Sequence, residues 1–254
     1  MSLPISSRIE RPAILVTRPE PGASATARRL VTLGFTPVLA PALEVEIRAD
    51  ALVEEALPDL QAVLVTSANA IPALDPLRSL PLFAVGDATA RAARAAGHQD
   101  VTSAGKDADR LLMLVRTRLD PDGKPLLLAS GEKQGAFLYQ GLSQSGFTVL
   151  HRFVYCARPV QALPEQAEQA LRILMEGAVP SAGAPGLKAV LFFSPETARS
   201  FVRLLDRAGL ADAASGLVAC VISPAVVEAI TALTWRDIRV AAQPTQDDLL
   251  ALLR

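Results

Sequence analysis

The sequence predicts an α/β fold: two similar doubly wound, parallel-sheet domains joined by a two-stranded linker. Three observations lead there. The strand-like runs are apolar throughout rather than alternating, as strands covered on both faces must be. They alternate with stretches of helical periodicity. The pattern of the first half also returns in the second.

The elements follow in order. Ile14–Thr17 is a short apolar run broken by Arg18-Pro19-Glu20-Pro21-Gly22. Ala23, Ala27, Leu30 and Val31 then recur at helical spacing, and Gly34 stands where a C-cap glycine would. Pro37–Ala40 reads as a strand, and an extended stretch continues through Leu43, Val45 and Ile47. Ala62–Thr66 is a strand with Ser67 as N-cap of the helix behind it. Leu82–Val85 is a strand, Gly86-Asp87 a turn, and Ala88–Ala96 a helix closed by Gly97, with His98 expected at the surface. Lys106–Arg118 reads as a helix with leucines on one face, and Pro125–Ala129 returns to strand.

The second half repeats the first. At an offset of 112, Ile14-Leu15-Val16 falls on Leu126-Leu127-Leu128, and Gly34-Phe35-Thr36 falls without a gap on Gly146-Phe147-Thr148. At an offset of 127, Ala62-Val63-Leu64 matches Ala189-Val190-Leu191 and Ser67 matches Ser194. At 137, Gly86-Asp87-Ala88 falls on Ser223-Pro224-Ala225. The insertion Gly177–Gly186, rich in Gly, Pro, Ser and Ala, absorbs most of the growing offset and reads as a surface loop.

Composition removes several function classes. A length of 254 residues suits one large or two ordinary domains. A net charge of −1 lacks the basic footprint of a nucleic-acid binder. No run approaches the ~18 apolar residues of a membrane span. The polar, proline-containing start does not read as a signal peptide, so a cytoplasmic protein is expected. Cys156 and Cys220 lie in apolar runs and are expected as buried free thiols. No nucleophile elbow, phosphate loop or dinucleotide turn is present, and His98 and His151 lack metal-ligand spacing. The expectation is therefore neither metal nor cofactor.

The remaining chemistry lies at the carboxyl ends of the expected strands: Thr17-Arg18, Thr66-Ser67-Ala68-Asn69, Gly86-Asp87, Ser130-Gly131, Ser194-Pro195 and Ser223-Pro224. Helix N-termini at such an edge offer free N–H groups and a positive dipole end to an anion. Serine or threonine there also serves simply as an N-cap, and both readings stay open. Arg18, Lys133, Arg152 and Arg158 are the nearby cations. If Arg152–Arg158 is a regular strand, Arg152 and Arg158 share one face while Phe153 and Tyr155 share the other. The Tyr155 phenol can then donate to a leaving hydroxyl or pack across the linker.

These residues carry a resemblance. Leu15-Val16-Thr17-Arg18-Pro19 with Gly22, Thr66-Ser67-Ala68-Asn69-Ala70 and Ala84-Val85-Gly86-Asp87-Ala88-Thr89-Ala90 are similar to uroporphyrinogen-III synthases. So, in order, are Val154-Tyr155, Phe193-Ser194-Pro195 and Pro244-Thr245 with Leu249-Leu250. The resemblance implies a discontinuous domain of residues 1–37 plus 161–254, a second domain 48–149, and linkers 38–47 and 150–160 around a cleft. It implies a cofactor-independent lyase that converts hydroxymethylbilane, a linear tetrapyrrole polycarboxylate, into uroporphyrinogen III. Loss of the terminal hydroxyl gives an azafulvene, a spiro intermediate follows, and ring D closes inverted. Tyr155 is the implied catalytic residue. Thr17, Arg18, Ser67, Ala68, Asn69, Gly86, Ser130, Gly131, Lys133, Ser194, Ser223 and Thr245 are the implied substrate contacts. Ser223 replaces a usual glycine. A monomer is implied, compatible with transient contact with the preceding pathway enzyme. The alternative is a non-catalytic two-domain binding protein for a carboxylated small molecule.

Overall fold

The computed structural model describes residues 11–52, 57–105, 107–132, 134–177 and 186–254. The chain forms two compact units. Unit 1 takes the residues up to Glu44 together with Pro159–Arg254, and unit 2 takes Val45–Arg158.

Unit 1 opens with β1 (Ala13–Val16), α1 (Gly22–Thr32) and β2 (Thr36–Leu39). It resumes with α5 (Glu165–Met175), β9 (Leu187–Phe192), α6 (Pro195–Arg207), a 3₁₀ turn (Ala211–Gly216) and β10 (Val218–Val221). It ends with α7 (Pro224–Glu228), β11 (Asp237–Val240) and α8 (Gln246–Ala251). Among the described residues its five strands are all parallel, in the order β11-β10-β9-β1-β2. The apolar strand runs are explained by burial on both sides. Leu15, Val190 and Phe192 enter one core while Ile14, Val16 and Leu191 enter the other.

Unit 2 contains β4 (Ala62–Val65), β5 (Leu82–Ala84), α2 (Asp87–Ala95), β6 (Val101–Ser103) and α3 (Ala108–Arg118). It continues through β7 (Leu126–Gly131), α4 (Ala136–Ser143) and β8 (Val149–Pro159). With β3 (Leu43–Ile47) its sheet runs β3-β8-β7-β4-β5-β6. Again two cores flank it, with Val63, Val65, Leu127 and Ala129 facing one and Ala62, Leu64, Leu126 and Leu128 the other. Apart from β3 this order repeats that of unit 1, with β6, β5, β4, β7 and β8 standing for β11, β10, β9, β1 and β2. Gly34 and Gly146, paired in the sequence repeat, have φ of +88° and +89°. A side chain resists that left-handed region, which is what fixes glycine at both helix ends.

Several expectations need correcting. Val38 and Leu39 are not linker residues; they pair with Leu15 and Val16 inside the unit 1 sheet. Residues 150–155 likewise belong to a sheet, paired along β7. The chain leaves unit 1 within β3 and returns within β8, both regular strands. The helix behind Ser67 is a 3₁₀ segment, Ala68–Leu77, containing Pro72 and Pro76, whose missing N–H groups preclude a regular α-helical ladder. Val31, read as part of α1's apolar face, is exposed. His98 is not at the surface: it is 4% exposed, and neither ring nitrogen has a hydrogen-bond partner among the described residues. The sequence reading passed over β6, which is three residues long and only half-buried. Residues 178–185 of the expected insertion loop lie outside the described residues.

Candidate functional site

In unit 2 the polar residues gather at the carboxyl end of β7 and its neighbours. β8 runs parallel to β7 in regular register from Val149 to Phe153, with Phe153 opposite Ser130. The register then shifts, and Gly131 faces Tyr155 instead of Val154. One extra residue has been inserted, a β-bulge. Its consequence is sidedness. Tyr155 joins the core lined by Leu127 and Ala129, while Phe153 stays on the Ser130 side, against His151. The expectation that Phe153 and Tyr155 share a face is therefore wrong. Strict period-two alternation does not survive an inserted residue.

Tyr155 is 3% exposed, its ring packed in the core and its hydroxyl at the polar edge. The phenol donates to Gln134 Oε1 at 3.0 Å. Burial pushes its pKa above the ordinary tyrosine value; Ser67, Gln134, Asn69 and the Gly131 backbone pull in the opposite direction. Of these, Gln134 alone makes a hydrogen bond of normal geometry. Gly131 must be glycine for the ring to lie there, since a Cβ would stand 2.6 Å from Tyr155 Cζ. Ser67 caps the 3₁₀ segment, its Oγ accepting from the Asn69 N–H at 3.3 Å. Ala68 opens that segment, so its N–H belongs to the end of the helix that has no internal partner. Gly86 takes the N-cap position of α2 in extended conformation, and a Cβ there would meet nothing within 4 Å. Ser130 is buried, 2.8 Å from His151 Nε2. Lys133 lies outside the described residues.

In unit 1 the corresponding edge is built around Arg18. Its guanidinium lies 4.3 Å over the Phe193 ring and donates to Gln246 Oε1 at 3.2 Å. A Cβ on Gly22 would run into the same guanidinium, so the start of α1 is shaped to receive it. Burial lowers its pKa and Glu20 raises it, without removing the charge of so strong a base. Among the described residues no ion pair claims Arg18, and an approaching carboxylate would find it already oriented. Ser194 caps α6, its Oγ accepting from the Thr197 N–H at 3.2 Å. Ser223 precedes α7 with no side-chain capping bond.

Two implied contacts are placed differently. Thr17 is fully buried and donates to Leu191 O at 2.7 Å, stapling β1 to β9. Thr245 caps α8, whose first turn already carries Asp247 and Asp248; those carboxylates oppose a further anion. Sequence reasoning missed Gln134 and Gln246. Gln134 becomes visible only once Gly131 and Tyr155 are seen to be partners, and Gln246 only through its long-range bond to Arg18. Among the described residues no group of three or more His, Cys, Asp or Glu could hold a metal ion. None of the described helices is long and apolar enough to cross a membrane.

A protein-family model described as uroporphyrinogen-III synthase HemD matches residues 24–251. Among solved structures, uroporphyrinogen-III synthetase from Helicobacter pylori aligns with a TM-score of 0.57 at 16% identity, covering 96% of this chain and 98% of that one. A uroporphyrinogen III synthase from the extremely thermophilic bacterium Thermus thermophilus aligns at 18% identity over 96% and 98%, with a TM-score of 0.45. No curated protein matches the chain in sequence. At such low identity the Helicobacter structure supports the α/β fold, and the match of the family model over most of the chain supports membership. That membership favours a catalyst over a binding module, and the chain belongs to the uroporphyrinogen-III synthase family, the cofactor-independent lyases that cyclise hydroxymethylbilane.

Proposed function

We propose that Tyr155 assists departure of the terminal hydroxyl of hydroxymethylbilane, and that the strand-end turns of each unit hold the substrate's carboxylates. The observation that carries this reading is the β8 bulge, which aims the one buried tyrosine at a polar edge made by Gln134, Ser67 and Asn69. Its burial keeps the phenol protonated, the form a departing hydroxyl needs as a hydrogen-bond and proton donor. The hydroxyl leaves as water; the pyrrole N–H gives up the balancing proton, which restores the phenol. Inversion of ring D then depends on holding the azafulvene in one folded geometry, a positional effect.

Carboxylates are held by Arg18 and by backbone N–H groups near Ser67, Ala68, Asn69, Gly86, Gly131, Ser194 and Ser223. Thr17 and Ser130, with buried side chains, frame these turns. The enzyme is taken to act as a monomer in the cytoplasm, with at most transient contact with the preceding enzyme of the pathway.

The test is product analysis with freshly made hydroxymethylbilane. Uncatalysed closure gives the type I isomer, so wild-type protein should yield type III. Tyr155→Phe should lower type III formation by about 10²-fold, the lower end of general-acid contributions, with the fold intact. Unchanged turnover in that variant would assign Tyr155 to packing alone.

A further inference from the structure

On the opposite face of the sheet from Tyr155 lies a second polar group that the reaction has not used. Ser130 Oγ is 2.8 Å from His151 Nε2 and 3.1 Å from the Gln134 carbonyl. The imidazole is held between Tyr139, stacked at 5.7 Å, and Phe153, edge-on at 4.7 Å. Gly135 has φ +85°, and a Cβ on it would stand 2.8 Å from His151 Nε2. The turn between β7 and α4 is therefore built closely around the histidine.

A hydroxyl carries one proton. Ser130 can donate to the Gln134 carbonyl and still bond His151 only if the imidazole proton sits on Nε2 and points at Oγ. That gives a chain of contacts meeting at Gln134: His151 Nε2–H donates to Ser130 Oγ, the Ser130 O–H donates to the Gln134 carbonyl with the Gly131 carbonyl also within 3.2 Å, and the Tyr155 phenol donates to the Gln134 side-chain oxygen. The Gln134 N–H donates to the Gly131 carbonyl at 3.1 Å, and the Glu132 N–H donates to the Tyr155 carbonyl at 3.1 Å. The turn is thus tied to both strands, and the exposed Gln134 is held from below by its own N–H bond to Gly131 and by the Ser130 hydroxyl on its carbonyl.

We propose that Ser130 and His151 are positioning residues for the cyclisation, fixing Gln134 and through it the Tyr155 hydroxyl. This rests on the reading of Tyr155 given above. A bland account would make Ser130 a satisfied core serine and His151 an aromatic filler, and His151→Phe separates the two because it keeps the stack and removes the donor.

The experiment measures kcat and KM for type III formation in Ser130→Ala, His151→Phe and His151→Gln, each alone and combined with Tyr155→Phe. Ser130→Ala and His151→Phe should lower kcat about three- to tenfold, the worth of one hydrogen bond, with KM within about twofold. His151→Gln, which keeps an N–H donor, should restore most of the rate. In the Tyr155→Phe background the losses should vanish, since the chain acts through the phenol. Unchanged kcat in His151→Phe while Tyr155→Phe is impaired overturns the proposal. So does equal loss in His151→Gln and His151→Phe, or losses that persist without the phenol. If Tyr155→Phe itself is silent, the reading of Tyr155 falls and this inference falls with it. Should Ser130→Ala fail to fold, the half-buried His151 pair of variants decides the matter.

Discussion

A glycine decides where the Tyr155 ring can lie. At Gly131 an added methyl would sit 2.6 Å from Cζ and 2.9 Å from the hydroxyl, so the ring would have to move. Gly131→Ala is expected to lower type III formation by about 10- to 100-fold, as misplacement of a reacting group by an ångström does. Initial rates and the isomer ratio check this, and a variant as active as the parent would show that the ring position does not matter. Some of this site was legible from residues alone. Tyr155, Arg18 and the serines stood out because phenol, guanidinium and hydroxyl are chemically conspicuous beside apolar runs. Gln134 did not, because an amide acquires a role only from what it touches. Thr17 was conspicuous for the wrong reason: its hydroxyl is spent on the Leu191 carbonyl, a bond made across most of the chain.

The elements were read well where one local rule fixes them and poorly where pairing does. Continuous apolar runs gave β1, β4, β7 and β9, and positive-φ glycines closed α1 and α2 where expected. The bulge in β8 was invisible, because register belongs to two strands and no single sequence stretch records it. The end of α2 was misread for a related reason. A histidine after Gly97 suggests solvent, yet the turn carries His98 inward beside the Arg78–Asp75 ion pair. Burial, and then Arg78, lower its pKa, with Asp75 opposing. The folded protein therefore keeps His98 neutral, whereas the unfolded chain accepts a proton near 6.5. Stability from this residue is present above that pH and is lost as pH falls below it. His98→Leu should consequently lose less stability between neutral and mildly acidic pH than wild type, as read by denaturant midpoints at each pH. A residual acid dependence is expected from His151, which burial also keeps neutral. Equal pH slopes in the two proteins would contradict this account of His98.

For the molecule as a whole, the internal repeat was the most informative feature of the sequence. Matched segments separated by 112, 127 and 137 residues became two sheets with one strand order, β11-β10-β9-β1-β2 and β6-β5-β4-β7-β8. Repetition does not say which strand–helix–strand piece joins which sheet; the resemblance implied the exchange, and its boundaries at Glu44 and Arg158 came with the structure. This exchange has a consequence for synthesis. The Thr17–Leu191 bond spans 174 residues, and β1 has no partner on its β9 side until β9 exists. Unit 2, by contrast, is one uninterrupted stretch, Val45–Arg158, and domains generally fold as they emerge. Nascent chains halted beyond Pro159 but before Leu187 should therefore show a protease-resistant core from unit 2, with β1, α1 and β2 still cleavable. Simultaneous protection of both would contradict it. β1 is thus made long before it is secured, and until β9 arrives its apolar edge is open to chaperones and to aggregation.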